Sequence, residues 1–225
     1  MQKFILSLLG IVLIASTGLA QMPPPPNYGQ SPDWLQRAAK SGDAASQYLL
    51  ARKLESNIDG MSNIAAAAKW YAKAAVQSHV SAQFRLGELY YNGIGLTKNL
   101  GQAAKWFGRA RDQGSMPAAY NLALMYERGL GVEKNFGRGG VLYQIAANAG
   151  IAEAQVNLAL LYAQGSGVIK DGGRALMWLE IAKRSGAKIP NSILDSLKSK
   201  MSPGEIESAV QMALNRIEKI KQRTK

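Results

Sequence analysis

The chain has 225 residues, of which 47% are hydrophobic and 19% charged. That is enough apolar material for one or two packed domains and too little charge for a disordered chain. It contains no cysteine and a single histidine, His79, which excludes disulfides, thiolate zinc centres, a cysteine nucleophile and any multi-histidine metal site. Its net charge of +12 gives a general attraction to anions, most simply read as solvated helix faces.

In chain order, Met1-Gln2-Lys3 supplies a positive start, Phe4 to Ala15 is an almost unbroken apolar run, and Gly18-Leu19-Ala20 supplies small residues before Gln21. This pattern predicts an export signal over 1–20, cleaved at Ala20–Gln21, and so a periplasmic or secreted protein; the alternative is an uncleaved anchor. Pro23 to Pro26 stop any helix and mark a proline-rich linker over 21–30. Export removes cytoplasmic nucleic acid as a target.

From residue 31 the chain repeats itself. Tyr90, Gly93 and Gly95 recur 36 positions later as Tyr126, Gly129 and Gly131, and again as Tyr162, Gly165 and Gly167. Leu50, Leu86, Leu122 and Leu158 keep the spacing, as do Ala74, Ala110, Ala146 and Ala182. All four tryptophans, Trp34, Trp70, Trp106 and Trp178, share one phase, broken only by Leu142. A fixed period of this length is the signature of a stacked array.

Within each unit the apolar residues fall at helical spacing. Ala82, Leu86, Leu89 and Tyr90 line a first helix, and Ala103, Trp106, Phe107 and Ala110 a second. Asn63, Asn99, Asn135 and Asp171 stand where each second helix needs an N-cap. Gly42, Ser78, Gly114, Gly150 and Gly186 stand where it needs a residue with positive φ to end it. Gly87, inside a first helix, suggests close helix approach, with Ala123 and Ala159 at the same phase. The reading is a half repeat and four full repeats over 31–186. Ser31-Pro32-Asp33 opens the half repeat, and a C-terminal cap follows over 187–225. In the cap, Ile193 to Met201 and Gly204 to Gln222 read as helices, the second opened by Ser202-Pro203 and ending in a basic run from Arg216 to Lys225.

The segments Leu86-Gly87-Glu88-Leu89-Tyr90-Tyr91-Asn92-Gly93-Ile94-Gly95-Leu96 and Ala68-Lys69-Trp70-Tyr71-Ala72-Lys73-Ala74-Ala75 resemble the Sel-one-like repeat (SLR) family, relatives of the tetratricopeptide repeat. The resemblance runs from Trp34 to Gly186. It implies an all-α, right-handed α/α superhelical solenoid of 36-residue helix-turn-helix repeats whose first helices line a concave face, and an adaptor that binds another protein there. Two departures from the pattern stand out. Asn57 and Asp59 replace the paired loop glycines of later units, and Gly137, Gly139 and Gly140 should weaken the start of the third unit's second helix.

Residues that repeat serve the stack; residues on the first-helix face that vary between units are free to serve a partner. Arg52, Glu88, Leu124 and Leu160 share one such phase, Glu55, Tyr91, Glu127 and Ala163 another, and Ser56, Asn92, Arg128 and Gln164 a third. Arg52, Glu88, Tyr91, Leu124 and Arg128 are the expected partner-binding residues, since arginine and aromatic side chains commonly anchor interfaces. No cofactor or metal is expected.

Other motifs read as structure. The loops at Gly93, Gly129 and Gly165 resemble phosphate loops but join two helices rather than a strand and a helix. Ser185-Gly186-Ala187-Lys188 has the spacing of a β-lactamase-like hydrolase but straddles a helix end, without partner motifs. The tryptophan phase reads as core packing and His79 as an exposed turn residue. A second functional reading is weak contact between an anionic envelope surface and the basic C-terminal run, where Arg216, Lys219, Lys221, Arg223 and Lys225 lie close together.

Overall fold

The computed structural model describes residues 33–56 and 63–223. The expected signal, the linker, Ser31, Pro32, Asn57 and Asp59 lie outside the described residues. The described chain is all-helical. It begins with the short α1 (Trp34–Lys40), preceded by Asp33 at the N-cap position, and continues through four helix pairs. These pairs are α2 (Ala44–Glu55) with α3 (Ile64–Val76), α4 (Val80–Asn92) with α5 (Leu100–Asp112), α6 (Met116–Arg128) with α7 (Phe136–Asn148), and α8 (Ala152–Gln164) with α9 (Gly172–Arg184). α10 (Asn191–Lys198) and α11 (Pro203–Arg223) close the chain.

The helix ends follow the caps read from the sequence. The side chains of Asn63, Asn99, Asn135 and Asp171 each accept the backbone N–H three residues on, at 2.8 to 2.9 Å. Each second helix ends two residues before a left-handed position: Gly114 has φ 87°, Gly150 91° and Gly186 90°, and Ser78 adopts φ 65° without being glycine. α7 keeps its full 13 residues despite Gly137, Gly139 and Gly140. Asn135 caps it, and Gly139 and Gly140 are buried where a Cβ would press on Ala123 and Leu161, so tertiary packing overrides their poor helix propensity.

Each helix from α1 to α9 packs on the next in sequence, so the array is held by neighbour contacts, as a solenoid requires. α11 then packs on α9, as a following unit's first helix would, while α10 touches α9 only lightly. Within pairs the fit is tight: a Cβ on Gly87 would lie 2.8 Å from the Phe107 ring, the close approach expected there. Between units, the second loop glycine lies against the start of the preceding second helix. A Cβ on Gly131 would come 2.3 Å from the Leu100 carbonyl carbon, so the glycines that mimic a phosphate loop serve repeat-to-repeat contact.

The tryptophan column is core-facing but not uniformly buried. Trp70 is half-buried, Trp106 is 9% exposed and Trp178 1%. Each carries a cation over its ring: Lys73 at 4.0 Å from the Trp70 centroid, Arg109 at 4.5 Å from that of Trp106 and Arg216 at 5.3 Å from that of Trp178. The first two cations come from the same helix. Position 181 is the buried Ile181, and the cation over Trp178 arrives from α11, whose packing also buries that ring. Arg216 therefore helps dock the cap, and it also donates to Asn148 of α7. The two closing helices match the sequence reading with small shifts in bounds. Ser202 and Glu205 form a reciprocal cap at the start of α11.

Candidate functional site

The row of first helices, α2, α4, α6 and α8, carries the varying residues. Of the five expected partner-binding residues, Arg128 is exposed at the end of α6 and Arg52 is half-buried near the end of α2. The other three are largely withdrawn: Glu88 is 4%, Leu124 7% and Tyr91 9% exposed. Leu124 packs in the main hydrophobic core. Glu88 is not the free carboxylate that the varying column suggests. It accepts from Arg85 Nη1 at 2.8 Å, while Arg85 Nε donates to both oxygens of Glu55 at 3.0 and 3.2 Å.

This Glu55–Arg85–Glu88 triad bridges α2 and α4. Burial works to raise the pKa of Glu55, but hydrogen bonds from Arg85 and Tyr71 outweigh it and hold the carboxyl below its usual value. For Glu88 burial wins, and its pKa is raised despite Arg85. Arg85 shares its phase with Leu49, Asn121 and Asn157, a variation that sequence reasoning did not weigh. Asn121 is buried, with its Nδ2 unpartnered among the described residues.

A second pattern emerges only when residues 16 apart are compared. Tyr71 Oη donates to Glu55 Oε2 at 2.7 Å, and Tyr143 Oη donates to Glu127. In the second unit the same two positions hold Phe107 and Tyr91, and in the fourth Leu179 and Ala163. Where the second helix supplies a hydroxyl, the first supplies a carboxylate; where the hydroxyl is gone, so is the carboxylate. The variation in this column is therefore partly packing compensation. Burial, reinforced by Glu127, raises the Tyr143 pKa strongly, and burial together with the charge of Glu153 pushes Tyr120 to about 12. Arg128 opposes the burial-driven rise at Tyr91 and acts on Tyr120, so Arg128, Tyr91 and Tyr120 form one electrostatic neighbourhood along α4 and α6.

A glutamine column also ties the units together. Nε2 of Gln47, Gln83 and Gln155 donates to the carbonyls of Ala39, Ala75 and Ala147, each at 3.1 Å and each near the end of the preceding helix. Gln77 and Gln113 complete two of these bonds, to Gln47 and Gln83. The period of Gln47, Gln83 and Gln155 was visible in the sequence; their reach back to a neighbouring helix end was not.

His79 is not a bare turn residue. It is half-buried at the N-cap of α4, where Nδ1 accepts the Ala82 N–H at 3.2 Å, and its ring stacks on Tyr48 at 4.6 Å. Burial lowers its pKa, against a smaller opposing effect from Asp43. Asp43 and Ser115 cap the first helices of neighbouring units at the same phase. Ser185 is the exposed residue ending α9, with its N–H on Ile181 and Ala182, and Lys188 lies beyond the turn. Among the described residues no cluster of three metal-ligating side chains occurs, and no helix is long and apolar enough to cross a membrane.

The Sel1 repeat model matches residues 8–43, 44–79, 80–115, 117–151 and 152–186. The first match reaches back over the stretch read as signal and linker. A crystal structure of a Sel1 repeat protein from Oxalobacter formigenes is 34% identical, with a TM-score of 0.68, covering 80% of this chain and 76% of that one. A protective antigen of uropathogenic Escherichia coli displaying an SLR fold is 24% identical with a TM-score of 0.53; the match covers 86% of this chain and half of that one, and shows the fold alone. No curated protein matches the chain significantly. Unit length, caps, loop glycines and these matches converge: the chain belongs to the Sel1 repeat family.

Proposed function

We propose that this protein is a non-catalytic scaffold, exported to the periplasm or beyond the cell, that holds a segment of another polypeptide along the row of first helices. Sel1 repeat folds are generally protein–protein interaction scaffolds, and a solenoid offers a long, semi-rigid inner surface for that purpose. The observation that carries the reading is the character of this row. The stack is secured by periodic residues, yet α2 and α6 still present non-periodic charges, Arg52 near Glu55 and Arg128 near Tyr91 and Tyr120. The apolar N-terminal run and the small residues after it support export.

The test is a crosslinking pull-down from an envelope fraction, comparing the wild-type protein with the double variant Arg52→Glu, Arg128→Glu. Capture falls while the helical circular dichroism signal and melting temperature stay unchanged. Equal capture by both proteins refutes the assignment of this face.

A further inference from the structure

After the last full unit α11 takes the place of a following first helix, but no loop of a further repeat covers the start of α9, and a groove is left there. In earlier units the following loop covers the first residue of the second helix: Gly95 lies on Ile64, Gly131 on Leu100 and Gly167 on Phe136. α9 begins instead with Gly172, which has no side chain. The nearest atoms to a Cβ placed there are Met201 Sδ at 3.9 Å and Leu197 Cδ1 at 4.0 Å, so the cap covers it loosely. Two other columns shrink at the same place. Ala163 stands where the array has Glu55, Tyr91 and Glu127, and Leu179 where it has Tyr71, Phe107 and Tyr143. The result is an open groove of about 1310 Å³, floored by α8 and α9 and walled by α10 and α11.

Its charges are asymmetric. The carboxylates on its wall are engaged: Asp171 caps α9 and pairs with Arg174, and Glu205 accepts from Ser202. The lysines on its wall, Lys170 and Lys200, form no ion pair among the described residues. One unit earlier, Lys134 lies over the Phe136 ring at 4.7 Å; with Gly172 in that place Lys170 has no ring to cover. The groove is also continuous with the row of first helices, since Leu160 and Ala163 of its floor share the phases of Glu88 and Tyr91.

We infer that this groove seats an apolar stretch of the partner polypeptide flanked by aspartate or glutamate, its apolar side chains on Leu160, Ala163, Ile193 and Leu197 and its carboxylates on Lys170 and Lys200. The inference rests on the scaffold reading and names the partner's chemistry. The volume exceeds the roughly 300–1,000 Å³ of small-molecule sites, and an open groove at the end of a peptide-sized surface suits a chain segment. Asp171 is offset by Arg174, so Lys170 and Lys200 outweigh Glu205 and the groove favours an anionic flank.

The test uses the purified full chain and fluorescein-labelled peptides containing two or three Leu, Ile, Val or Phe residues, flanked by glutamate, by lysine or by serine. Fluorescence polarisation is expected to show the glutamate-flanked set binding at least tenfold more tightly than the lysine-flanked set. Ala163→Tyr, which installs the side chain the array already carries at Tyr91, narrows the groove at its floor and weakens binding at least tenfold with an unchanged melting temperature. Lys170→Glu with Lys200→Glu, on exposed positions, reverses the preference toward lysine flanks. No binding by any peptide, equal binding by Ala163→Tyr, an unreversed preference, or displacement of the peptide by decanoate at similar concentration overturns the inference. Each of these outcomes leaves the scaffold reading to its own pull-down, where loss of capture depends on Arg52 and Arg128.

Discussion

Tyr143 and Glu127 form the sharpest test of how variation between units is compensated. Tyr143 is fully buried and its hydroxyl donates to Glu127, while one unit earlier the same positions hold Phe107 and Tyr91. Tyr143→Phe removes the donor and leaves a half-buried carboxylate that water still reaches, a loss of about 1–2 kcal/mol. Glu127→Tyr removes the acceptor and strands a buried hydroxyl, a loss of about 1–3 kcal/mol. The double variant recreates the pairing of the second unit, with neither a stranded hydroxyl nor a buried carboxylate. Its loss should stay within about 1 kcal/mol, giving a coupling of at least ~1 kcal/mol between the sites. Urea unfolding followed by far-ultraviolet circular dichroism measures all four proteins, and a constant denaturant slope shows that the unfolded state is unchanged. If the double variant loses the sum of the single losses to within ~0.5 kcal/mol, the two positions are independent and the compensation argument fails.

Two further predictions follow from the helix ends. Ser78 holds φ 65° at a position that is glycine in every other unit, so Ser78→Gly relieves left-handed strain; it should stabilise the fold by about 1 kcal/mol and raise the melting temperature by about 2–4 °C in a thermal scan. His79 must be neutral to accept the Ala82 N–H, and burial places its folded pKa below the ordinary value near 6.5. The unfolded chain therefore binds this proton first. The contribution of His79 is complete above about pH 6.5 and is lost as pH falls from there through the lower folded value, by at most ~1.4 kcal/mol per pH unit. His79→Ser, which borrows the cap used at Ser115, should flatten that part of the stability profile between pH 7.5 and 5 in urea titrations; an identical slope in both proteins refutes the role given to the imidazole.

The sequence alone determined the period, the helix pairs, their Asn/Asp starts and Gly ends, and the all-α class, because these depend on residues a few positions apart or repeated at one phase. Asn99 caps its own helix and Gly114 ends it whatever lies beyond. What each varying residue does depends on neighbours in other helices, and only the tertiary structure decided that. Glu88 reads as a free charge until Arg85 and Glu55 are seen beside it, and His79 as a bare turn until Tyr48 covers its ring. Leu124 belongs to the same varying phase as Arg52, yet the core takes it. The groove at the end of the array was hidden for the same reason. Gly172, Ala163 and Leu179 are unremarkable singly, and they leave a space only because no loop of a further repeat covers the start of α9, where Leu197 and Met201 stand off. Local hydrogen bonding and steric periodicity are written along the chain; the balance of burial, charge and volume between helices exists only once they are packed.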